Sequence, residues 1–456
     1  MPTRVLAVDC GATSVRVCSV DLDSRREPEV LHRWPHAPVQ LADGSPRWDW
    51  PGLLAAVEHG LALGLAAGPV ASIGVDTWGV DYGLLDDTGA LLSWPHCYRS
   101  ERTSGWRSVV DRIGAEHLYR TTGIQLQPFN TLFQLAAHDR SELQRASRLL
   151  MLPELIAHHL TGAVTGEVTS AGTTGLVDIA DGTWSAELLD AIDVDSTLLP
   201  PIEAPGRQLG QWHGIPVTLV GGHDTASAVA AVPVRPGDGT AYVATGSWFL
   251  VGVLSAQPVL STAAAEANFT NEPAVGGPVV SGGVRLLKNV TGLHLLERLR
   301  SEWGDPPLDR LLADAAASSG DVPLVDPDDQ LFASPGLDAT LRDITRLGSA
   351  ASRGLIVRCV LASLAAATAR VLDEVADVTG VRPRRLVALG GGVRNQLLLD
   401  LLEAHCRIPV VRGPAEATAL GNALVQGIGI GHFADLAEAH DQLIFAPATS
   451  FRPDAP

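Results

Sequence analysis

Ile215-Pro216-Val217-Thr218-Leu219-Val220-Gly221-Gly222-His223-Asp224-Thr225-Ala226-Ser227-Ala228 is an apolar run that breaks at two glycines and a His-Asp pair. The first six residues read as a buried strand, and the small residues that follow, with Val229 and Val232, read as a helix start. A strand that feeds a helix through so short a junction is a unit of an α/β sheet. Asp224 then stands at the strand's carboxyl end, beside free helix N–H groups, where ligands collect in such sheets. Two readings of Asp224 stay open here: a carboxylate facing a ligand, or an N-cap that accepts only from its own helix.

Working outward, Arg4 to Val20 shows apolar runs on either side of a Gly11-Ala12-Thr13-Ser14 turn, which predicts a β-hairpin. Thr240 to Val253 repeats that pattern around Gly246-Ser247. Each hairpin opens roughly one half of the chain, so the halves read as two versions of one fold. Between and after them, helical and strand-like segments alternate. Leu53–Ala67, Leu132–His138 and Leu149–Leu160 are predicted helices, and Ser72–Val75 is a predicted strand. In the second half, Leu355 to Val378 carries a broad apolar face and stops at Gly380, with Pro383 beyond. The strand Leu386–Leu389, the run Gly390-Gly391-Gly392, a helix over Asn395–His405, a strand over Ile408–Val411 and a helix from Glu416 follow. This is an alternating α/β chain, with the domain boundary expected in Val232 to Asp238.

The totals narrow the function. A chain of 456 residues is too long for one core, and 46% hydrophobic against 18% charged residues marks a well-filled globular protein. A net charge of −18 argues against nucleic acid and anionic membrane partners. It leaves a phosphorylated substrate open, since backbone N–H groups and Mg²⁺ bind phosphate inside acidic proteins. Cys10, Cys18, Cys97, Cys359 and Cys406 form no CxxC pair and are odd in number, which predicts a reduced, cytoplasmic protein without a zinc site. The strand that begins at Arg4 leaves no leader, so secretion is not expected. Gly239 to Ala265 carries no charge, but its glycine, proline and hydroxyl residues suit two short strands better than a membrane span. Lys288 is the only lysine among 33 basic residues, a position where a compact ammonium is not interchangeable with a guanidinium.

Several clusters carry chemistry. Asp9 ends the first strand before Gly11, Thr13 and Ser14, a turn whose N–H and O–H groups can face phosphate while the carboxylate holds Mg²⁺ through water. Thr245-Gly246-Ser247 offers the same chemistry in the second half, and Gly390-Gly391-Gly392 lets a planar group or phosphate approach the backbone. No GxxxxGK[ST] or GxGxxG motif occurs. Asp76-Thr77-Trp78-Gly79-Val80-Asp81 combines two carboxylates, a hydroxyl and a flat apolar face, which suits a sugar. Lys288-Asn289 and Gln125 to Asn130 add polar candidates. His223 and Asp224 are adjacent and lack a second cluster with metal-ligand spacing, so a metal hydrolase is disfavoured.

VDCGATSVR, DTWGVD, GGHDTASA, ATGSW and LGGGVRN, in that order, make the chain similar to the FGGY carbohydrate kinases from about Val5 to Phe445. That resemblance implies two ribonuclease H-like α/β domains of the actin/hexokinase/Hsp70 ATPase type, 1–235 and 236–456, with an interdomain cleft. Residues 73–86, 122–135, 221–229, 268–272 and 286–297 resemble the branch of the family that acts on L-rhamnulose. The implied reaction is transfer of the γ-phosphoryl group of ATP to the C1 hydroxyl of that ketose. Asp224 is implied as the catalytic base, with Gly79, His223, Thr225 and Asn289 in the sugar site. Ala12, Thr13, Ser14, Val15 and Arg16 form the implied first phosphate loop, Ser247 serves in the second, Gly391 lies against adenosine, and Asp9 organises Mg²⁺. The implied partners are sugar and ATP alone, with no nucleic acid or membrane, in a monomer or homodimer.

This chain departs from the family pattern in three places. Ser247 stands where threonine is usual, Glu297 where a glutamine helps bind ATP, and Tyr98-Arg99-Ser100-Glu101-Arg102 shifts the usual acidic position. The alternatives are a kinase for L-fuculose or xylulose and a non-catalytic sugar- or ATP-binding regulator.

Overall fold

The structure, a computed structural model, describes residues 3–42, 44–276, 283–318 and 320–443. Both hairpins form where expected. β1 (Arg4–Gly11) and β2 (Ser14–Asp21) pair antiparallel, and β3 (Glu29–Pro35) extends them. α1 (Trp50–Ala66) follows, its N-terminus capped by Asp49, whose side chain accepts from Gly52 N. β4 (Ser72–Thr77) lies parallel to β1, and β5 (Gln208–Trp212) with β6 (Ile215–Thr218) closes a six-stranded sheet in the order 5-6-4-1-2-3. One face buries Leu6, Val8, Val17 and Ile73 against Leu53, Val57 and Leu61 of α1. The helix Ala417–Gly429 covers the other, with Ala419 on Ala7 and Cys18. Coverage on both faces explains why β1 is an unbroken apolar run rather than an alternating one.

The chain forms two compact units. Unit 1 holds the chain to Pro233, Leu254–Leu286 and the segment from Glu416; unit 2 holds Val234–Val253 and Leu287–Ala415. The chain first leaves unit 1 at Pro233/Val234, and each unit is built from separate stretches of chain; the helix Ala417–Gly429 returns to pack on β1 and β4. In unit 2, β7 (Thr240–Thr245) and β8 (Trp248–Ser255) pair antiparallel. β9 (Arg385–Leu389) lies parallel to β7, and β10 (Val410–Arg412) parallel to β9. This repeats the order β2-β1-β4-β6 of unit 1. The long helix Arg353–Thr379 ends at Gly380, whose φ of 72° is a left-handed cap. It is long and apolar enough to cross a membrane, yet 72% of that stretch is buried, as in a core helix.

One predicted element is corrected. Leu149–Leu160 is not a single helix: Arg148–Met151 is a strand paired with Tyr82–Leu85, and α2 (Leu152–Thr161) starts only afterwards. Pairing with Tyr82–Leu85 holds Arg148–Met151 extended, and Pro153, which lacks an N–H, fits the first turn of the helix that follows.

α3 (Asp224–Ala230) is held by a close backbone approach of the helix Ala417–Gly429. A Cβ on Gly421 would overlap the Ser227 carbonyl oxygen and lie 2.7 Å from its carbon and 3.1 Å from Ala231 N. Gly421→Ala is therefore expected to push α3 away and cost about 1–3 kcal/mol by overpacking. A thermal melt of that variant indistinguishable from the parent would contradict this packing.

Candidate active site

Parallel pairing of β1 and β4 sets Asp9 opposite Asp76 and Cys10 opposite Thr77. Thr77 N donates to Gly222 O at 2.9 Å, so the chain beyond β6 continues the ladder as far as His223. Three strand ends thus present Asp9, Asp76 and Asp224 together, near enough that Asp224 raises the proton affinity of both others.

Asp9 and Asp76 are buried, and Asp224 is the open member, its side chain 27% exposed. Burial pushes Asp9 up to about 6 despite Arg16, its ion-pair partner from the facing hairpin strand. Arg16 is shared, because Nη1 also donates to Glu416 Oε2 at 2.7 Å. Burial and neighbouring Asp9 push Asp76 well above the usual carboxylate range, although Asn422 Nδ2 donates to its Oδ2 at 2.6 Å. Asp9 Oδ1 and Asp76 Oδ1 are buried without a hydrogen-bond partner. Two such oxygens on adjacent strand ends fit the water shell of a hard cation such as Mg²⁺. Among the described residues, no group of three or more His, Cys, Asp or Glu is placed to ligate an ion directly.

The N-cap reading of Asp224 falls. His223 occupies the cap, with no side-chain cap bond, and Asp224 is the first residue of α3. Its Oδ1 accepts from Thr225 Oγ1 at 3.1 Å and lies 3.5 Å from His223 Nε2. A buried clamp fixes the turn before it. Gly222 N donates to Glu167 Oε2 at 2.9 Å and His223 N to Thr169 Oγ1 at 3.2 Å. Glu154 stands behind, accepting from Glu167 N at 2.9 Å and from Ser170 Oγ. Glu154 Oε2 and Glu167 Oε1 have no partner, and both residues line a small cavity with Val75, Pro153 and Val217.

The Asp76–Asp81 stretch needs correction as a sugar site with two carboxylates to offer. Asp81 is fully buried and accepts from Trp48 Nε1, Trp78 Nε1, Gln134 Nε2 and Tyr98 N at 2.7–3.2 Å. Thr77 Oγ1 donates to Trp78 O. Asp81 thus locks the Trp48–Trp78 pair, whose ring centres are 4.4 Å apart. His36 joins that pair 5.6 Å from Trp78, and its Nε2 is 2.9 Å from Gly11 O in the first turn. Gly79 is needed for packing, since a Cβ there would meet Thr173 at 2.9 Å.

The first turn leaves Thr13 exposed and Ala12 and Ser14 half-buried, while Val15 lies fully in the core and contributes only backbone. In unit 2, Ser247 O accepts from Gly292 N and Gly246 O from Leu293 N, both at 3.0 Å. Gly390 has φ 85°, Gly392 packs on Thr245, and Gly391 is exposed with nothing within 4 Å of where a Cβ would stand. Unit 2 therefore brings the Ser247 turn and the glycine run together through Thr245, whose Oγ1 donates to Leu389 O at 2.7 Å. Asn289 is half-buried and Glu297 is exposed in the first turn of the helix His294–Glu302. Lys288 Nζ donates to Glu374 Oε2 at 2.6 Å.

Sequence reasoning missed His36, Asn422, Glu272 and Arg285. Arg285 had a visible signal, since a charge inside the apolar run Val284-Arg285-Leu286-Leu287 must find a partner when buried.

The description "FGGY family of carbohydrate kinases" fits both halves, its N-terminal domain over residues 4–230 and its C-terminal domain over 241–430. The chain is 38% identical to a rhamnulokinase of Pectobacterium carotovorum over 95% of its length and 90% of that protein. It is 37% identical to one of Bacteroides thetaiotaomicron over 96% and 93%. Among solved structures, it resembles Plasmodium falciparum glycerol kinase with ADP (TM-score 0.78, 15% identity, covering 98% of this chain and 94% of that one). It also resembles a ligand-bound xylulose kinase of Lactobacillus acidophilus (TM-score 0.75, 16% identity, covering 96% and 92%).

Burial and adjacent Glu167 raise Glu154 to about 7. A carboxyl raised on folding contributes stability that is fully present below its unfolded pKa, near 4.5, and is lost as pH rises towards 7. Glu154→Gln is expected to flatten this slope, gaining on the parent by on the order of 3 kcal/mol between pH 4.5 and 7. Urea unfolding at both pH values measures it, and parallel profiles would refute it.

Proposed function

The chain belongs to the FGGY family of carbohydrate kinases, and on that premise we propose that it transfers the γ-phosphoryl group of ATP to the C1 hydroxyl of L-rhamnulose. The products are L-rhamnulose 1-phosphate and ADP, in a cytoplasmic step of L-rhamnose catabolism. The observation that carries the reading is Asp224: a half-open carboxylate at a strand end, backed by two buried aspartates and freed from capping.

In this reading Asp224 orients the acceptor hydroxyl and takes its proton late. Phosphoryl transfer passes through a loose transition state, so placement and charge stabilisation carry most of the rate. His223 and Thr225 flank the acceptor, with Gly79 and Asn289 completing the sugar site. The turn Ala12–Arg16 supplies N–H and hydroxyl groups to phosphate, while Arg16 is committed to Asp9 and Glu416 and works by positioning. Ser247 takes the second phosphate position, Gly391 the adenosine, and Glu297 a nearby contact. Residues 1–235 then carry the first loop, the base and the sugar site apart from Asn289, and 236–456 the second loop and the adenosine site. Mg²⁺, held through water by Asp9, would neutralise charge on the phosphates.

Asp224→Asn is expected to lower sugar-dependent ADP production about 10²- to 10⁴-fold, the usual range for a general base. Near-full activity in that variant would remove Asp224 from the role. With the parent protein, a panel of L-rhamnulose, L-fuculose, xylulose and glycerol is expected to give the highest kcat/KM for L-rhamnulose; preference for another acceptor would reassign the substrate. ATP binding without any phosphorylated product would favour a regulator.

A further inference from the structure

Behind His223 lies a charge pair that touches no proposed substrate position. Arg285 is completely buried, and its Nη2 donates to Glu272 Oε2 at 2.8 Å while its Nε donates to Pro273 O at 3.2 Å. The same Nη2 lies 3.2 Å from His223 Nδ1, and Glu272 Oε2 lies 3.1 Å from that nitrogen. On the opposite edge of the ring, Nε2 faces Asp224 Oδ1 at 3.5 Å. Asp224, His223, Glu272 and Arg285 thus form a row of alternating charge within unit 1.

The chemistry of these donors decides where the imidazole proton sits. Arg is a donor only and stays charged, whereas an ionised carboxylate is an acceptor only. A bare Nδ1 is satisfied by Arg285 Nη2–H, and a protonated Nδ1 is satisfied by Glu272 Oε2. With a bare Nδ1, and equally in the doubly protonated ring, a proton sits on Nε2. The remaining tautomer, with Nδ1–H alone, would turn the Nε2 lone pair onto the Asp224 carboxylate and is disfavoured by repulsion.

We propose that Arg285 and Glu272 are positioning residues that keep His223 protonated at Nε2, so that the ring donates towards Asp224 Oδ1 and leaves Oδ2 for the acceptor hydroxyl. The inference rests on Asp224 being the base, but its tautomer half stands by itself. Glu272 is suited to the task because, against the opposing effect of burial, the ion pair with Arg285 holds its carboxyl below the usual range, ionised. Glu272 closes the segment 268–272, and Arg285 stands immediately before the segment 286–297.

Full-length protein labelled with ring-¹⁵N histidine tests this directly by long-range ¹H–¹⁵N correlation, with His223 assigned through the signals lost in His223→Gln. Protonated Nε2 and bare Nδ1 at pH 8 are expected; a bare Nε2 overturns the proposal. In kinetics, Glu272→Gln is expected to lower kcat about tenfold, with the KM for sugar and ATP changed less than about threefold. A folded Glu272→Gln variant with parental kcat also overturns it. If that variant does not fold, the spectrum of the parent protein decides. Because the spectrum does not depend on turnover, an active Asp224→Asn variant would sink the base while leaving the tautomer assignment to be judged separately.

Discussion

Carboxylate charge placed side by side at the ends of adjacent buried strands is the constraint around which unit 1 is arranged. Register alone puts Asp9 beside Asp76, and the turn after β6 adds Asp224. An isolated buried carboxylate costs several kcal/mol unless it is paired, hydrogen-bonded or protonated. The protein uses all three remedies sparingly. Arg16 serves both Asp9 and Glu416, Asn422 serves one oxygen of Asp76, and the proton affinities of both aspartates rise. Two oxygens, Asp9 Oδ1 and Asp76 Oδ1, remain without a hydrogen-bond partner.

That arrangement explains why a helix from the far end of the sequence belongs to unit 1. Glu416 at its start engages Arg16, Asn422 reaches Asp76, and Gln426 Nε2 donates to Leu6 O and to Asn422 Oδ1. Gly421 permits backbone-to-backbone approach to α3. One helix therefore supports all three aspartates. Unit 2 repeats the strand order without an equivalent acid at the ends of β7 and β9, where Thr245 and Leu389 stand instead. The repeat is one of topology, and the chemistry differs between its copies.

Much of the fold was legible because its signals are local. Hairpins with glycine-rich turns, the long helix stopped at Gly380 and the strand-to-helix junctions all follow from neighbours in sequence. The Leu149–Leu160 error came from reading apolar content where strand pairing with Tyr82–Leu85 decided the conformation. Candidate residues stood out where a polar group ends an apolar strand run or sits in a turn, as at Asp9, Ser247 and Asp224. They were illegible where the partner is remote: Asp81 looks like a ligand carboxylate until Trp48, Gln134 and Tyr98 are seen to consume it. Glu272 and Arg285 gain meaning only from His223, a histidine far earlier in the chain.

The difference between a capping aspartate and a catalytic one is a single position. An N-cap side chain folds back onto N–H groups of its own first turn and is thereby occupied. At the next residue the side chain leaves that geometry, and the carboxylate is free to point away from the helix while still close to its positive end. Here His223 takes the cap position without making a cap bond, and its ring turns instead to Glu272 and Arg285. The cost of an uncapped α3 is carried by the Glu167 clamp on the preceding turn and by the Gly421 contact along the helix. Stability is thus supplied around Asp224 rather than through it, as the role proposed for Asp224 towards an acceptor hydroxyl requires.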